Sequence, residues 1–210
     1  MAVKGGFVKD KQTVFVVDDD AAVRDSLSWL IKSVGLNVET FGSAQEFLNA
    51  CTPNRAGCLV LDVRMPGMSG LDLQEKLAGQ RIFLPVIIIT GHGDVPMAVR
   101  TVKSGAFDFI EKPFNDQVLL DRIQQALEKD AEQRIHQAEH DEISRRIGKL
   151  TPREKEVMDM VVGGNPNKII ASELGISCRT VEIHRGRVME KMQANSLSDL
   201  MRIGLMSGLF

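Results

Sequence analysis

Six polar side chains of the 210-residue sequence stand just after short apolar or β-branched runs. Asp18, Asp19 and Asp20 follow residues 13–17, Asp62 follows 58–61, Thr90 follows 86–89, and Lys112 comes shortly after 107–110. Carboxylates gathered in one place repel and raise one another's pKa unless a cation sits among them. Hard carboxylate oxygens around an open site suit Mg²⁺, which keeps waters and takes only one or two protein carboxylates. Thr90 adds a hydroxyl donor and Lys112 a point positive charge. A carboxylate, Mg²⁺, a hydroxyl and an ammonium are the parts needed to accept and hold a phosphoryl group. A lone Asp at a strand end is usually a helix cap. Asp20 reads as such a cap, and Asp72 as merely solvated. Asp-Asp, Asp, Thr and Lys-Pro at four strand ends go beyond what capping explains.

The elements that must position these groups alternate along residues 12–127. Strands are predicted at 13–17, 38–41, 58–61, 86–89 and 107–110. Helices are predicted between them, with apolar residues such as Val23, Leu27, Leu30, Ile31 and Val34 at helical spacing. Ser43 and Glu46 predict a capping box for the second helix. Residues 70–77, 95–103 and 116 onward supply the other helices. Strands separated by helices imply an α/β, doubly wound parallel sheet covered on both faces. Its ligand site lies outside the carboxyl ends of the strands, where the six side chains fall.

Composition changes beyond residue 127. Residues 128–149 are charge-rich and lack Pro, which predicts a mostly exposed helical linker prolonging the preceding helix. Residues 150–210 read as a four-helix, all-α domain. Thr151-Pro152-Arg153-Glu154 opens its first helix, Gly163-Gly164 closes it, and Asn167 is expected to cap the next. Gly175-Ile176-Ser177 is a tight turn before a helix from 178 to 192, and Ser196 caps a last one. A short helix, a glycine turn and a longer helix make a helix-turn-helix.

On helix 178–192, Thr180, His184, Arg187 and Lys191 form a polar stripe without acidic members, spaced four, three and four. Val181, Val188 and Met192 form the neighbouring apolar stripe. Such a helix can pack one side on its neighbours while offering another to a DNA major groove; a solvated basic face, common on helices, has the same pattern. Ile183 lies beside the stripe, within reach of a thymine methyl.

Charge alone names no partner. Residues 1–127 hold 13 Lys/Arg against 15 Asp/Glu, 128–150 hold 5 against 6, and 151–210 hold 8 against 7. No segment is a polybasic tail, so a nucleic-acid surface must be local. The 43% apolar content supports a packed core. No apolar run is long enough to span a bilayer. No signal peptide is read, and three cysteines without metal spacing fit a reduced, cytoplasmic setting.

Residues 13 to about 127 resemble a response-regulator receiver domain of the flavodoxin-like (βα)5 kind. The resemblance is carried by Val16-Val17-Asp18-Asp19-Asp20, Leu61-Asp62-Val63-Arg64-Met65-Pro66-Gly67, Ile89-Thr90-Gly91-His92 and Glu111-Lys112-Pro113-Phe114. It implies Asp62 as the phospho-acceptor, with Thr90 and Lys112 holding phosphoryl oxygens. It implies Mg²⁺ on Asp19, Asp62 and the Arg64 carbonyl, Asp18 ordering the metal's waters, and a cis Lys112-Pro113 bond. Thr90 and Phe109 would form the switch, and His92 and Arg64 flank the pocket. Helix 95–103, with Val95 and Val99, would belong to the surface that pairs two phosphorylated copies.

Residues 150–206 resemble the NarL/FixJ (LuxR-type) helix-turn-helix. The carrying residues are Leu150-Thr151-Pro152-Arg153-Glu154, Asn167-Lys168-Ile169-Ile170-Ala171 and Arg179-Thr180-Val181-Glu182-Ile183-His184-Arg185. This implies DNA contacts by Lys168, Thr180, His184, Arg187 and Lys191. It also implies a last helix that pairs two domains through Leu200 and Ile203 on a near-palindromic site. Together the resemblances imply a FixJ-type transcription factor with a histidine kinase, double-stranded promoter DNA and RNA polymerase as partners. It would be no free-standing enzyme beyond its own phosphorylation and dephosphorylation. Two other readings exist. One is a C-terminal domain that binds protein instead of DNA. The other is an aspartyl phosphatase, disfavoured because Arg64 stands where its second carboxylate belongs.

Overall fold

A computed structural model describes residues 12–52, 54–80, 82–91 and 105–206. The chain divides into two compact units, one ending at Gln133 and one beginning at Arg134.

The first unit contains β1 (Thr13–Val17), α1 (Ala21–Ser33), β2 (Asn37–Phe41), α2 (Ala44–Ala50), β3 (Gly57–Asp62), α3 (Gly70–Gly79), β4 (Val86–Thr90) and β5 (Asp108–Glu111). The start of α4 (Asp116–Ile147) also belongs to it. The sheet is parallel throughout, in the order β2-β1-β3-β4-β5. The expected helix at 95–103, with Val95 and Val99, and His92 lie outside the described residues.

Successive strand residues point to opposite faces, and both faces are buried. Phe15 and Val17 of β1 join Leu59, Leu61 and Ile88 under α2 and α3. Val14 and Val16 join Val60, Ile87 and Ile89 on the other face, with Leu27 and Ile31 of α1 and Leu119 and Ile123 of α4. Two-sided burial is why these strands read as continuous apolar runs instead of alternating ones.

Helix α4 starts at Asp116 and runs unbroken to Ile147. Asp130, expected on the exposed charge-rich linker, is buried instead. It accepts hydrogen bonds from Gly57 N at 2.9 Å and from Gln12 Nε2 at 3.2 Å. Gln12 Nε2 also donates to the Leu127 carbonyl at 2.7 Å. These bonds tie α4 to the amino ends of β1 and β3, and the first unit reaches past residue 127.

The second unit holds the end of α4, then α5 (Pro152–Val162), α6 (Asn167–Leu174), α7 (Cys178–Met192) and α8 (Leu197–Met206). Its core gathers Val157, Met158, Ile170, Val181, Val188 and Met192. Thr151 and Glu154 form the expected reciprocal capping box on α5. Gly175, in the left-handed region at φ 64°, ends α6 and opens the turn to α7. Two caps differ from expectation. Pro166 stands at the N-cap position of α6 without a side-chain cap bond, and Asn167 lies inside the helix, its side chain accepting from Arg185 Nη1 at 2.7 Å. On α2 the Ser43 hydroxyl accepts from Glu46 N, but the Glu46 carboxylate turns back to Gly42 N, so no closed box forms. Among the described residues, no helix is long and apolar enough to cross a membrane.

Candidate functional site

The carboxyl ends of β1, β3, β4 and β5 bring Asp18, Asp62, Thr90 and Lys112 to one end of the sheet. Asp18 and Thr90 are each 1% exposed and Asp62 is 7% exposed. Lys112 Nζ donates to Asp18 Oδ2 at 2.8 Å and to Asp62 Oδ1 at 2.9 Å. One ammonium therefore bridges two carboxylates from different strands. The second oxygen of each carboxylate is also held. Asp62 Oδ2 accepts from Arg64 N at 2.7 Å, and Asp18 Oδ1 accepts from Asp20 N at 2.9 Å.

Burial alone pulls the Lys112 pKa down, but its hydrogen bonds to Asp18 and Asp62 outweigh this, and the result lies above its ordinary 10.5. The lysine is charged at neutral pH. Its backbone N–H donates to the Thr90 carbonyl at 2.8 Å, so β4 and β5 position their two site residues together. The Lys112-Pro113 bond is cis. Phe109 of β5 is half-buried against the core face beneath α2 and α3.

The loops around this cluster have local causes. Asp20 caps α1 by accepting from Ala22 N at 2.8 Å. Asp19 is exposed beside it. Sequence reasoning missed Arg24, whose guanidinium donates to the Asp18 carbonyl at 2.8 Å and the Asp19 carbonyl at 3.0 Å. No pairwise signal in the sequence singles out that role. Asp72 is not merely solvated: with Ser69 it forms a reciprocal capping box at the start of α3. The Ser-x-x-Asp spacing was a legible signal for it. Gly70 then opens α3 against the end of β3. A Cβ there would lie 2.3 Å from the Asp62 carbonyl oxygen, so only glycine lets α3 close onto that strand end.

The residues fit Mg²⁺. Asp18 and Asp62 already converge on one cation, and a Mg²⁺ site needs no more than one or two protein carboxylates. Among the described residues there is no denser metal-ligating group of three or more His, Cys, Asp or Glu.

In the second unit the expected DNA-contacting side chains divide. Lys168 and Arg187 are exposed. Thr180 is half-buried, its hydroxyl 2.8 Å from Ser177 Oγ at the start of α7. His184 has a buried Nδ1 with no hydrogen-bond partner among the described residues. Lys191 is a correction. Its ammonium donates to the buried Glu154 carboxylate at 2.6 Å and to the Lys149 carbonyl at 3.2 Å. Its ammonium is thus engaged inside the unit, not left free on the polar stripe as expected. The Lys191 and Thr151 hydrogen bonds hold Glu154 at a pKa of about 2.

Leu200 and Ile203 are a second correction. They are 1% and 7% exposed and belong to the core of the unit, so neither can meet a second copy. The exposed apolar residues of α8 are Leu197, Met201, Leu205 and Met206.

Residues 14–124 match the response regulator receiver domain family, and residues 148–203 match the bacterial regulatory proteins of the luxR family. Nodulation protein W of Bradyrhizobium diazoefficiens is 51% identical over 193 residues, covering 92% of this chain and 85% of its own. The transcriptional regulatory protein FixJ of the same organism is 46% identical over 199 residues, covering 95% of this chain and 97% of its own. Among solved structures, the response regulator StyR aligns with a TM-score of 0.84 at 47% identity, covering 92% of this chain and 98% of that one. Full-length FixJ from B. japonicum aligns with a TM-score of 0.58 at 46% identity, covering 95% and 98%. These matches set aside both the phosphatase reading and the protein-binding reading of the C-terminal unit. The chain belongs to the two-component response regulators of the FixJ type, transcription factors that join a receiver domain to a LuxR-type DNA-binding domain.

Proposed function

We propose that Asp62 accepts a phosphoryl group from the phosphohistidine of a partner histidine kinase. The observation that carries this is the Lys112 ammonium bridging Asp18 and Asp62 at the carboxyl end of the sheet. An Asp62 carboxylate oxygen forms the new P–O bond as the P–N bond of the donor breaks, and the donor imidazole keeps the electron pair. Lys112, already within hydrogen-bond reach of Asp62, pairs with the phosphoryl oxygens. The Thr90 hydroxyl, at the end of the neighbouring strand, donates to another. Mg²⁺ would be held by Asp19, Asp62 and the Arg64 carbonyl oxygen, with Asp18 binding its waters, and it supplies charge neutralisation during transfer. An aspartyl phosphate adds nearly two negative charges. Thr90 moves toward them and Phe109 fills the space it leaves, which changes the surface of β5.

The phosphorylated receivers pair, and the C-terminal units bind promoter duplex and meet RNA polymerase. Arg187 and Lys168 contact phosphates or base edges, Thr180 adds a hydrogen bond, and His184 offers Nε2. The stripe Leu197, Met201 and Leu205, spaced four and four, pairs two C-terminal units on a near-palindromic site. A cytoplasmic setting goes with a kinase and a promoter as the proposed partners.

Sedimentation velocity with Mg²⁺, with and without acetyl phosphate, tests this on the wild type and Asp62→Asn. The expected outcome is a dimer only for wild type with acetyl phosphate, with one phosphoryl group per chain by mass. Uptake by Asp62→Asn equal to wild type would refute the acceptor assignment.

A further inference from the structure

The second half of α4 carries two of the four histidines of the sequence. His136 and His140 are four residues apart, so they share one face of the helix, with Cβ atoms about 5–6 Å from each other. Their side chains keep 79% and 53% of their surface exposed, so both rings are open to a ligand from solvent. Each ring has a carboxylate beside its Nδ1. Glu139 Oε2 lies 3.9 Å from His136 Nδ1, and Asp141 Oδ1 lies 4.0 Å from His140 Nδ1. Gln137 Nε2 donates to Asp141 Oδ1 at 2.8 Å and steadies that carboxylate. A carboxylate facing Nδ1 favours the tautomer with its proton there and leaves the Nε2 lone pair open. Metal-ligating histidines are arranged in this way.

The surroundings suit a cation. The helix positions three and four residues from either histidine include Glu132 and Glu139 and no Lys or Arg. Two neutral imidazoles one turn apart can take adjacent positions on a single ion, and histidines at this spacing on one helix face hold zinc. Imidazole nitrogen suits Zn²⁺, Cu²⁺ and Ni²⁺, whereas Mg²⁺ takes oxygen ligands. Among the described residues no group of three or more His, Cys, Asp or Glu gathers as a metal site. Two protein ligands therefore carry this one, and water fills the remaining positions. We propose that His136 and His140 chelate one divalent transition-metal ion through their Nε2 atoms, at a site separate from the receiver pocket. The bound ion ties two successive turns of α4 together.

Zn²⁺ alone is the probe. It is titrated by calorimetry into the full chain in saturating Mg²⁺, which occupies the receiver pocket. The proteins are wild type, His136→Gln, His140→Gln and the double variant Ala138→His with His140→Ala. Position 138 is exposed, so the double variant keeps two histidines but sets them on different sides of the helix. All three variants are expected to bind Zn²⁺ at least about ten-fold more weakly than wild type, because the second ligand no longer adds to the first within one chain. Their far-ultraviolet circular dichroism should be unchanged. In the wild type labelled with ¹⁵N at histidine, one equivalent of Zn²⁺ should move the Nε2 signals of His136 and His140 together and leave that of His184 in place. Wild-type affinity in the double variant would show two independent imidazoles and overturn the chelate. Movement of only one of the two signals would do the same. If neither signal moves, these histidines are not metal ligands.

Discussion

Lys112 holds two buried carboxylates with one charge, so its removal leaves like charges facing each other out of water. Removing one partner of such a group is costly, by 3–5 kcal/mol when fully buried. The Lys112 side chain keeps 25% of its exposure, which reduces the figure. Lys112→Met is expected to destabilise the receiver by about 2 kcal/mol without divalent cations. Mg²⁺ held by Asp62, with its waters bound by Asp18, would take over the same task. Saturating Mg²⁺ should therefore raise the melting temperature of Lys112→Met more than that of wild type, as calorimetry can read. Equal Mg²⁺ effects would separate the metal from these carboxylates. The lysine pKa is raised by folding, so its contribution is complete below pH 10.5 and is lost as pH rises through the folded value. Arg24 acts one step further out, through the carbonyls of Asp18 and Asp19. Groups that hold metal ligands in place are worth about ten- to hundred-fold in metal affinity. Arg24→Ala is expected to weaken Mg²⁺ binding about ten-fold by titration calorimetry, with the sheet intact by circular dichroism.

At the scale of elements, the capping box of α5 does two things. Glu154 closes the helix onto Thr151 and also receives Lys191 from the far end of α7. Folding lowers the Glu154 pKa from 4.5 to about 2. The stability it contributes is therefore present above pH 4.5 and is lost as pH falls from there toward 2. Glu154→Gln is expected to flatten the pH dependence of unfolding of the C-terminal unit across that window, followed by far-ultraviolet circular dichroism. A slope as steep as that of wild type would show that another group carries it. The same pair explains what the sequence leaves hidden. The period of α7 correctly separates Val181, Val188 and Met192 as its packed side. The stripe from Thr180 to Lys191 borders that side, and the partner of Lys191 lies 37 residues away, where no local pattern reveals it. By contrast, the pocket of the receiver is legible because each of its groups ends a strand, and parallel strands bring their ends together whatever their separation in the chain. Asp130 was unreadable for the reverse reason: a carboxylate in a charged helix looks solvated until the amide of Gly57 is placed against it.

At the scale of the molecule, each unit has its own core, and the proposed pairing of two copies must draw on surfaces those cores leave open. Helix α8 is apolar on two sides. Leu200 and Ile203 point inward, and Leu197, Met201 and Leu205 remain 43%, 40% and 70% exposed. Both sets recur at helical spacing, so periodicity cannot tell which one faces the core. The neighbours decide: Leu200 and Ile203 join the cluster around Met158 and Val161. A contiguous apolar stripe left in water marks an interaction site more often than not. Met201→Asp and Leu205→Asp are expected to keep the melting temperature of the C-terminal unit within about 2 °C. They should weaken its pairing on duplex DNA at least ten-fold, read as loss of the two-to-one complex in sedimentation with a labelled palindromic site. Leu200→Ala should do the opposite. It opens a cavity in the core at a cost of about 3 kcal/mol and lowers the melting temperature first, with pairing lost only as the unit unfolds. If Leu200→Ala abolishes pairing at a temperature where the unit is still folded while Met201→Asp pairs normally, the inward side of α8 has been assigned the wrong way round.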